Sequence, residues 1–424
     1  MKLLTDITPL RETPAYRRLW IGTMLSTIGT AMTTYAVPLQ AWTITHSTTA
    51  VGGLGAATLI PMLVIGMPGG ILADRVDRRK LVLLVTVGQT AVSALLFTQA
   101  LAGARSIWLL YVLQATSAGF SAIAAPARAT FIPKLVPAGQ LKPALALNRV
   151  IFQVAMIAGP GLAGLVTGAV GLKGCYLLDA LSFAGGFYGA VRLAPMPPES
   201  TVSPENTTRI PGSRGKGLAA TGQGLTYIWR NKVLAGTFLA DVNATFFALP
   251  LSLFPAINQE RFGGDVRILG LFTVAVGVGG MVTAAFSGPL RHVSPLGLAM
   301  LVAVSVWGAG FAVFAVAPSL WLTLLALAVA GAADTITVVI RGVIVQTVTP
   351  DGYRGRVNAA DYVVGAGGGQ LGSLESGLVA SFTSPEISAL SGGLLTIAAA
   401  IAIGAGFPGF RRYRDTDTGK GAGG

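Results

Sequence analysis

The sequence predicts an all-α membrane protein with twelve transmembrane helices in two six-helix halves. Three observations predict it. Only 11% of the 424 residues are charged and 52% are hydrophobic, with a mean hydropathy of +0.67, whereas soluble domains carry about a quarter charged residues. Apolar runs of about 20 residues, each long enough to cross about 30 Å of hydrocarbon, recur along almost the whole chain. The second half also repeats features of the first at a constant spacing.

In order, the predicted spans lie at 17–40, 51–72, 81–102, 106–128, 143–168 and 174–194, then at 233–256, 268–290, 296–316, 319–341, 357–381 and 388–408. Residues 1–194 form the N-terminal half and 233–410 the C-terminal half. Between them, 195–232 is rich in Pro, Ser, Thr and Gly and reads as a cytoplasmic linker, ending in a short helix near Leu225–Arg230. The end, 411–424, opens with Arg411-Arg412-Tyr413-Arg414 and runs into glycine, as expected of a basic membrane-edge anchor followed by a disordered tail. The polar N-terminus shows no cleavage pattern through Arg18, so the first apolar run is expected to be retained. Trp20, Trp42, Trp108 and Trp321 fall near predicted span ends and are expected as interface anchors. Phe246 and Phe247 are expected in core packing, with an aromatic ligand as the other reading.

The net charge of +13 would suggest an anionic partner in a soluble protein. Here the placement of charge explains it. All but Arg105, Lys173, Arg261 and Arg267 of the 30 Lys and Arg fall on the side that holds the N-terminus. That asymmetry orients both termini toward the cytoplasm of a cell membrane, in a bacterium by the Ala- and Arg-rich composition, and no nucleic-acid partner is indicated. Cys175 is the sole cysteine and forms no internal disulfide. Two histidines, His46 and His292, supply neither a metal cluster nor a nucleophile–base pair. No phosphate-binding Gly-x-x-x-x-Gly-Lys-Ser/Thr loop is present, so ATP does not drive the chain directly. No cofactor or metal is expected.

The repeat carries the two-halves reading. Arg128 precedes Pro137 by nine residues and Arg341 precedes Pro350 by nine, an offset of 213. At the same offset Gly159-Pro160-Gly161-Leu162-Ala163-Gly164 falls on Gly372-Ser373-Leu374-Glu375-Ser376-Gly377. Pro38 and Pro255 end the first helix of each half. Parallel halves of this kind place a substrate path at their interface, near the midplane.

Between the second and third spans lies Gly69-Gly70-Ile71-Leu72-Ala73-Asp74-Arg75-Val76-Asp77-Arg78-Arg79-Lys80. It resembles the Gly-x-Leu-Ala-Asp-Arg-x-Gly-Arg-Arg loop of the major facilitator superfamily of transporters. The resemblance implies a charged clasp that holds one gate shut, with Gly70, Asp74, Arg75, Asp77 and Arg78 as its residues. Asp77 stands where that pattern has glycine, so a different turn is expected there. Arg79 and Lys80 read as ordinary cytoplasmic-side charges. The counterpart Gly288-Pro289-Leu290-Arg291-His292 lacks the acidic residue.

Further stretches extend the likeness: Thr45-His46-Ser47 leading to Val51-Gly52, Ala125-Pro126-Ala127-Arg128, Leu178-Asp179-Ala180-Leu181-Ser182-Phe183 and Gly355-Arg356-Val357. Together they resemble the enterobactin-exporter-like branch, which holds siderophore and drug exporters, from about Pro14 to Phe410. The resemblance implies the major facilitator fold and a monomeric secondary exporter of a small amphiphilic molecule, a siderophore, antibiotic or other drug-like metabolite. It implies proton antiport and alternating access, with the lipid bilayer as surroundings. Lipid or lysophospholipid translocation and nutrient import are alternatives of the same fold; a receptor or enzyme of transporter ancestry is a remote one. Gly159, Pro160 and Gly164 resemble the helix-bend motif of antiporters, an imperfect copy with Ala163 in place of a glycine. The fourth span lacks the arginine that proton-driven drug exporters carry, reading Leu113-Gln114-Ala115-Thr116-Ser117-Ala118-Gly119, and Arg128 lies too near the cytoplasmic end to replace it.

Ionisable groups inside a span are costly and therefore functional candidates. Asp241 and Glu375 lead as proton-coupling or substrate-binding residues. Asp334, seven residues before Arg341, is a third, with a structural ion pair to Arg341 as the alternative. Asp179, near the outer end of the sixth span, is expected to act as a cap or to meet lipid headgroups.

Overall fold

The computed structural model describes residues 6–196, 217–286, 288 and 293–414, without the side chains of 67–75, 217–221, 351, 359, 362 and 366. The described residues form two compact units. The first is drawn from Met1–His46, Ala57–Ile210 and Gly264–Val274, the second from Ser47–Ala56, Pro211–Gly263 and Ala275–Gly424. Most of the predicted linker, the end of the tail and most of the Gly288–His292 counterpart lie outside the described residues.

The first unit begins with a short helix, α1 (Thr8–Glu12), and the long α2 (Pro14–Thr45). Proline at the first turn suits α2, because that N–H has no helical partner. The helix continues past Pro38 and stops only where His46 turns left-handed at φ 48°. There follow the inner part of α3 (Thr48–Arg75), then α4 (Arg78–Leu101), α5 (Ile107–Ala129), the one-turn α6 (Phe131–Leu135), α7 (Leu141–Val170) and α8 (Leu172–Val191). Close helix approach organises the bundle. A Cβ on Gly22 would overlap the Gly185 carbonyl oxygen, so α2 and α8 meet backbone to backbone, as small residues allow in apolar surroundings. Deeper in, Gln40 and Gln99 exchange amide hydrogen bonds of 3.0 and 2.9 Å, and the Tyr176 hydroxyl donates to Gln40 Oε1 at 2.6 Å. Three buried polar side chains on α2, α4 and α8 thus satisfy one another.

Asp77 resolves the irregular loop. Its carboxylate accepts from the Lys80 N–H at 3.0 Å as the N-cap of α4, and its other oxygen accepts from the Met196 N–H at 3.1 Å. The Arg78 N–H donates to the Met196 carbonyl at 3.1 Å. Beside them, the Arg79 guanidinium donates to the Val191 carbonyl at 2.6 Å. Arg79, expected as a plain solvated charge, instead closes the C-terminal end of α8, where a cation meets unpaired carbonyls.

The second unit contains α9 (Gly217–Arg230), α10 (Lys232–Phe247), α11 (Phe254–Phe262), the later half of α12 (Val266–Ala285), α13 (Leu296–Val316), α14 (Leu320–Val348), α15 (Asp351–Phe382), α16 (Pro385–Gly406) and the one-turn α17 (Pro408–Arg411). Asn231 caps α10 by accepting from the Val233 and Leu234 N–H groups. The continuous seventh span expected at 233–256 is broken: the helix ends at Phe247 and resumes at Phe254. Pro250 and Pro255 lie five residues apart, and two lost donors with two ring clashes stop a helix that one proline only bends. The linker helix is longer than expected and is held by Tyr227 stacked on Tyr353 at 4.5 Å. Arg261 donates to the Phe314, Ala315 and Ala317 carbonyls, closing the C-terminal end of α13.

Among the described residues nine helices are long and apolar enough to cross a membrane. The predicted spans at 17–40, 174–194 and 357–381 also fall on long helices, α2, α8 and α15.

The cap at Asp77 is testable. Asp77→Ala should lower stability by about 1 kcal/mol, the usual cost of an N-cap, and more if the Met196 N–H finds no water. Cys175 is buried and is the sole cysteine, so thermal exposure of its thiol to a maleimide dye reads the unfolding midpoint. An unchanged midpoint would remove the cap from the account.

Candidate functional site

The charged centre of the second unit is Arg341 on α14, held between two carboxylates. Its guanidinium donates to Asp241 on α10 and lies 3.5 Å from Asp361 on α15. The side chains are 16%, 7% and 31% exposed, respectively. Such a cluster survives in apolar surroundings only because the charges compensate each other. Helix packing brings them together. On α15 the glycines at 368 and 372 lie against Thr245 and Phe246 of α10, where a side chain would strike the Thr245 hydroxyl or the backbone. That close approach fits the polar stretch of α15 against the charged face of α10.

Of the predicted candidates, Asp241 is therefore an ion-pair member. Asp334 is not the partner of Arg341. It is exposed, and seven residues along one helix is about 10 Å, whereas α10 and α15 supply carboxylates within reach. Glu375 stands apart, half-buried on α15, and forms no hydrogen bond or ion pair with a described residue. It lies fourteen residues beyond Asp361, about 20 Å along the helix. Arg341 and Asp361 escaped the sequence reading as a pair with Asp241.

Asp179 is also placed differently from expectation. It is 2% exposed, enclosed by the helices around it, and its Oδ2 accepts from Thr33 on α2 at 2.7 Å and Ser93 on α4 at 2.8 Å. The close α2–α8 contact carries it inward. Where the superfamily's usual arginine is missing, α5 uses neutral groups: Gln89 donates to the Ser117 carbonyl and the Ser121 hydroxyl, and Gln114 to Thr58. Of the gating-loop residues, Gly70, Asp74 and Arg75 sit at the end of α3 with side chains outside the described set, and Asp77 and Arg78 are sewn to the chain after α8. Pro160 lies inside a continuous α7. Gly159 abuts Ala31, and Gly164 faces the Val266 carbonyl, 3.1 Å from where its Cβ would stand. Trp108 and Trp321 are 74% and 82% exposed, whereas Trp20 turns inward and donates to the Leu147 carbonyl at 3.1 Å. Phe246 and Phe247 pack edge to face at 5.0 Å. Among the described residues no group of His, Cys, Asp or Glu side chains is arranged to hold a metal.

Removing one member of a buried pair strands the other. Asp241→Asn or Arg341→Gln alone should cost about 3–5 kcal/mol, and the double variant much less than the two together. A double-variant cycle in thermal unfolding measures this; additive losses would mean that the pair carries no coupling.

Comparison with known proteins agrees with this architecture. The enterobactin exporter EntS of Shigella boydii is 25% identical over 414 residues, covering 97% of this chain and 96% of the relative. EntS of Escherichia coli O81 matches to the same extent. Among solved structures, a POT family transporter in complex with 5-aminolevulinic acid superposes with a TM-score of 0.72 at 11% identity, covering 94% of this chain and 97% of that one. The nucleoside transporter NupG gives 0.68 at 14% identity, covering 94% and 100%. A bacterial homologue of the lysosomal transporter Spinster, inward-facing and unoccupied, gives 0.66 at 16%, covering 97% and 98%. These likenesses establish the major facilitator fold. The family described as transmembrane secretion effector matches residues 4–414, and the chain belongs to that family of membrane transporters.

Proposed function

We propose that this transporter is a proton-driven exporter of a small amphiphilic molecule such as a siderophore, antibiotic or other drug-like metabolite. It works as a monomer in the bacterial inner membrane, with both termini cytoplasmic and no cofactor. In this reading residues 1–194 and 233–410 are two six-helix halves that alternate access to the substrate, and the gating loop and the Gly159–Gly164 bend serve that movement. Relatives named for enterobactin export along nearly the whole chain support the direction of transport.

The cluster around Arg341 carries the coupling argument. Two carboxylates face one guanidinium, so the fully ionised cluster holds one negative charge too many. Taking up a single proton leaves it neutral, with one carboxylate still paired to Arg341. A proton can thus enter and leave without stranding a buried charge, which an isolated acid in apolar surroundings does not permit. Protonation of Asp241 would release Arg341 from α10 while Asp361 retained it on α15, linking proton uptake to a change in helix contacts. Glu375 and Asp334, neither in the cluster, are the candidates for a second proton or for a cationic group of the substrate.

In everted vesicles, uptake of an amphiphilic cationic dye should be driven by respiration and collapse with a protonophore. Asp241→Asn should slow it about tenfold or more, since a charged hydrogen bond is worth about 1.5–3 kcal/mol. Transport unaffected by both the protonophore and this change would defeat the proton-coupling reading. Higher retention of a compound by cells lacking the gene supports export; lower uptake would indicate import instead.

A further inference from the structure

The arginines of the two repeats are equivalent in structure, but only one is neutralised. At the offset of 213, buried positions match buried positions: Leu110 with Thr323, Leu113 with Ala326, Ala127 with Ile340, Phe131 with Ile344, Ala144 with Val357 and Leu147 with Ala360. The same register sets Arg128 opposite Arg341 and Asn148 opposite Asp361. From the Pro38–Pro255 match, Asp241 falls opposite Met24, beside Thr23. The first unit has therefore kept the arginine while neutral residues occupy both carboxylate positions.

Arg128 is consequently unpaired. Its guanidinium makes no hydrogen bond or ion pair with any described residue, and neither does the Asn148 side chain. Both line a cavity of about 440 Å³ within the first unit, together with Trp20, Thr23 and Thr86. None of the residues lining it is acidic. The donors of Trp20 and Thr86 are already spent on the Leu147 and Val82 carbonyls, which leaves Arg128, Asn148 and the Thr23 hydroxyl facing the cavity. Arg128 and Asn148 both open onto the cavity, where an anion gains a charge-assisted contact with the guanidinium, and the volume is that of a small-molecule site.

We propose that this cavity binds an anionic group, a carboxylate or phosphate, whose charge takes the place of the two carboxylates that neutralise Arg341. Arg128 supplies the forked pair of N–H donors and Asn148 an amide donor, with the Trp20 ring forming an apolar wall. The anion can belong to a soluble molecule or to a lipid headgroup. The inference does not depend on export: it stands or falls on binding alone.

The full chain purified in neutral detergent tests it, with the Cys175 thiol reporting thermal unfolding. Inorganic phosphate, benzoate and dioleoylphosphatidylglycerol are added in turn, with dioleoylphosphatidylcholine as the uncharged-headgroup control. At least one anionic probe should raise the midpoint in the native chain. In Arg128→Gln the half-saturating concentration should rise about tenfold or more, the loss expected for a charge-assisted contact. Asn148→Asp should abolish the response and raise the midpoint without any probe, because it restores an internal carboxylate. Exposed Arg105→Gln should respond as the native chain does. A response to phosphate or benzoate identifies a soluble anion; a response to the phosphatidylglycerol alone identifies a headgroup. No response to any anionic probe, or a response unchanged in both Arg128→Gln and Asn148→Asp, overturns the proposal.

Discussion

A charge that leaves water must bring its compensation with it, and the architecture of this transporter turns on that constraint. Arg341 meets it with Asp241 and Asp361 from two neighbouring helices, so α10, α14 and α15 are tied at a single point. Because stranding any one member costs several kcal/mol, these three helices hold their register or change it together. The same rule governs the uncharged interior. Gln40, Gln99 and Tyr176 close a ring of hydrogen bonds among α2, α4 and α8, and Asp179 is met by two hydroxyls.

Such pairing requires helices to come close, and small residues let them. Apolar surroundings offer no hydrophobic drive between helices, so contact depends on fit and on internal polar bonds. The Gly22–Gly185 approach brings α8 near enough to α2 for Thr33 to reach Asp179. Gly368 and Gly372 likewise bring α15 against α10 at Thr245 and Phe246. Packing and electrostatics are thus one device: the first sets the distance at which the second becomes favourable.

Towards the helix ends the chain turns to backbone groups as partners for its charges. Asp77 departs from the superfamily's glycine and caps α4 while holding the Met196 N–H. Arg79 and Arg261 each close the C-terminal end of a helix. These residues read as scattered surface charges in one dimension, because a helix end and the carbonyls it leaves unpaired belong to a different stretch of sequence.

The sequence by itself determined the fold class. Hydropathy is a local property, and twenty apolar residues in a row leave the backbone no choice but a helix that satisfies its own hydrogen bonds. The loop at Gly69–Lys80 and the offset of 213 also determined the superfamily and the internal repeat. Asp241 stood out as a candidate acid for the same local reason, that it interrupts an apolar run. The tertiary structure alone decided which cation it meets. Asp241 and Arg341 are one hundred residues apart, and pairing depends on helix rotation and depth, which no periodicity encodes. The break at 248–253, the burial of Asp179 and the absence of a partner for Arg128 among the described residues were likewise settled by packing. Each depends on what a neighbouring helix presents at that level, and neighbours are assigned only when the chain has folded.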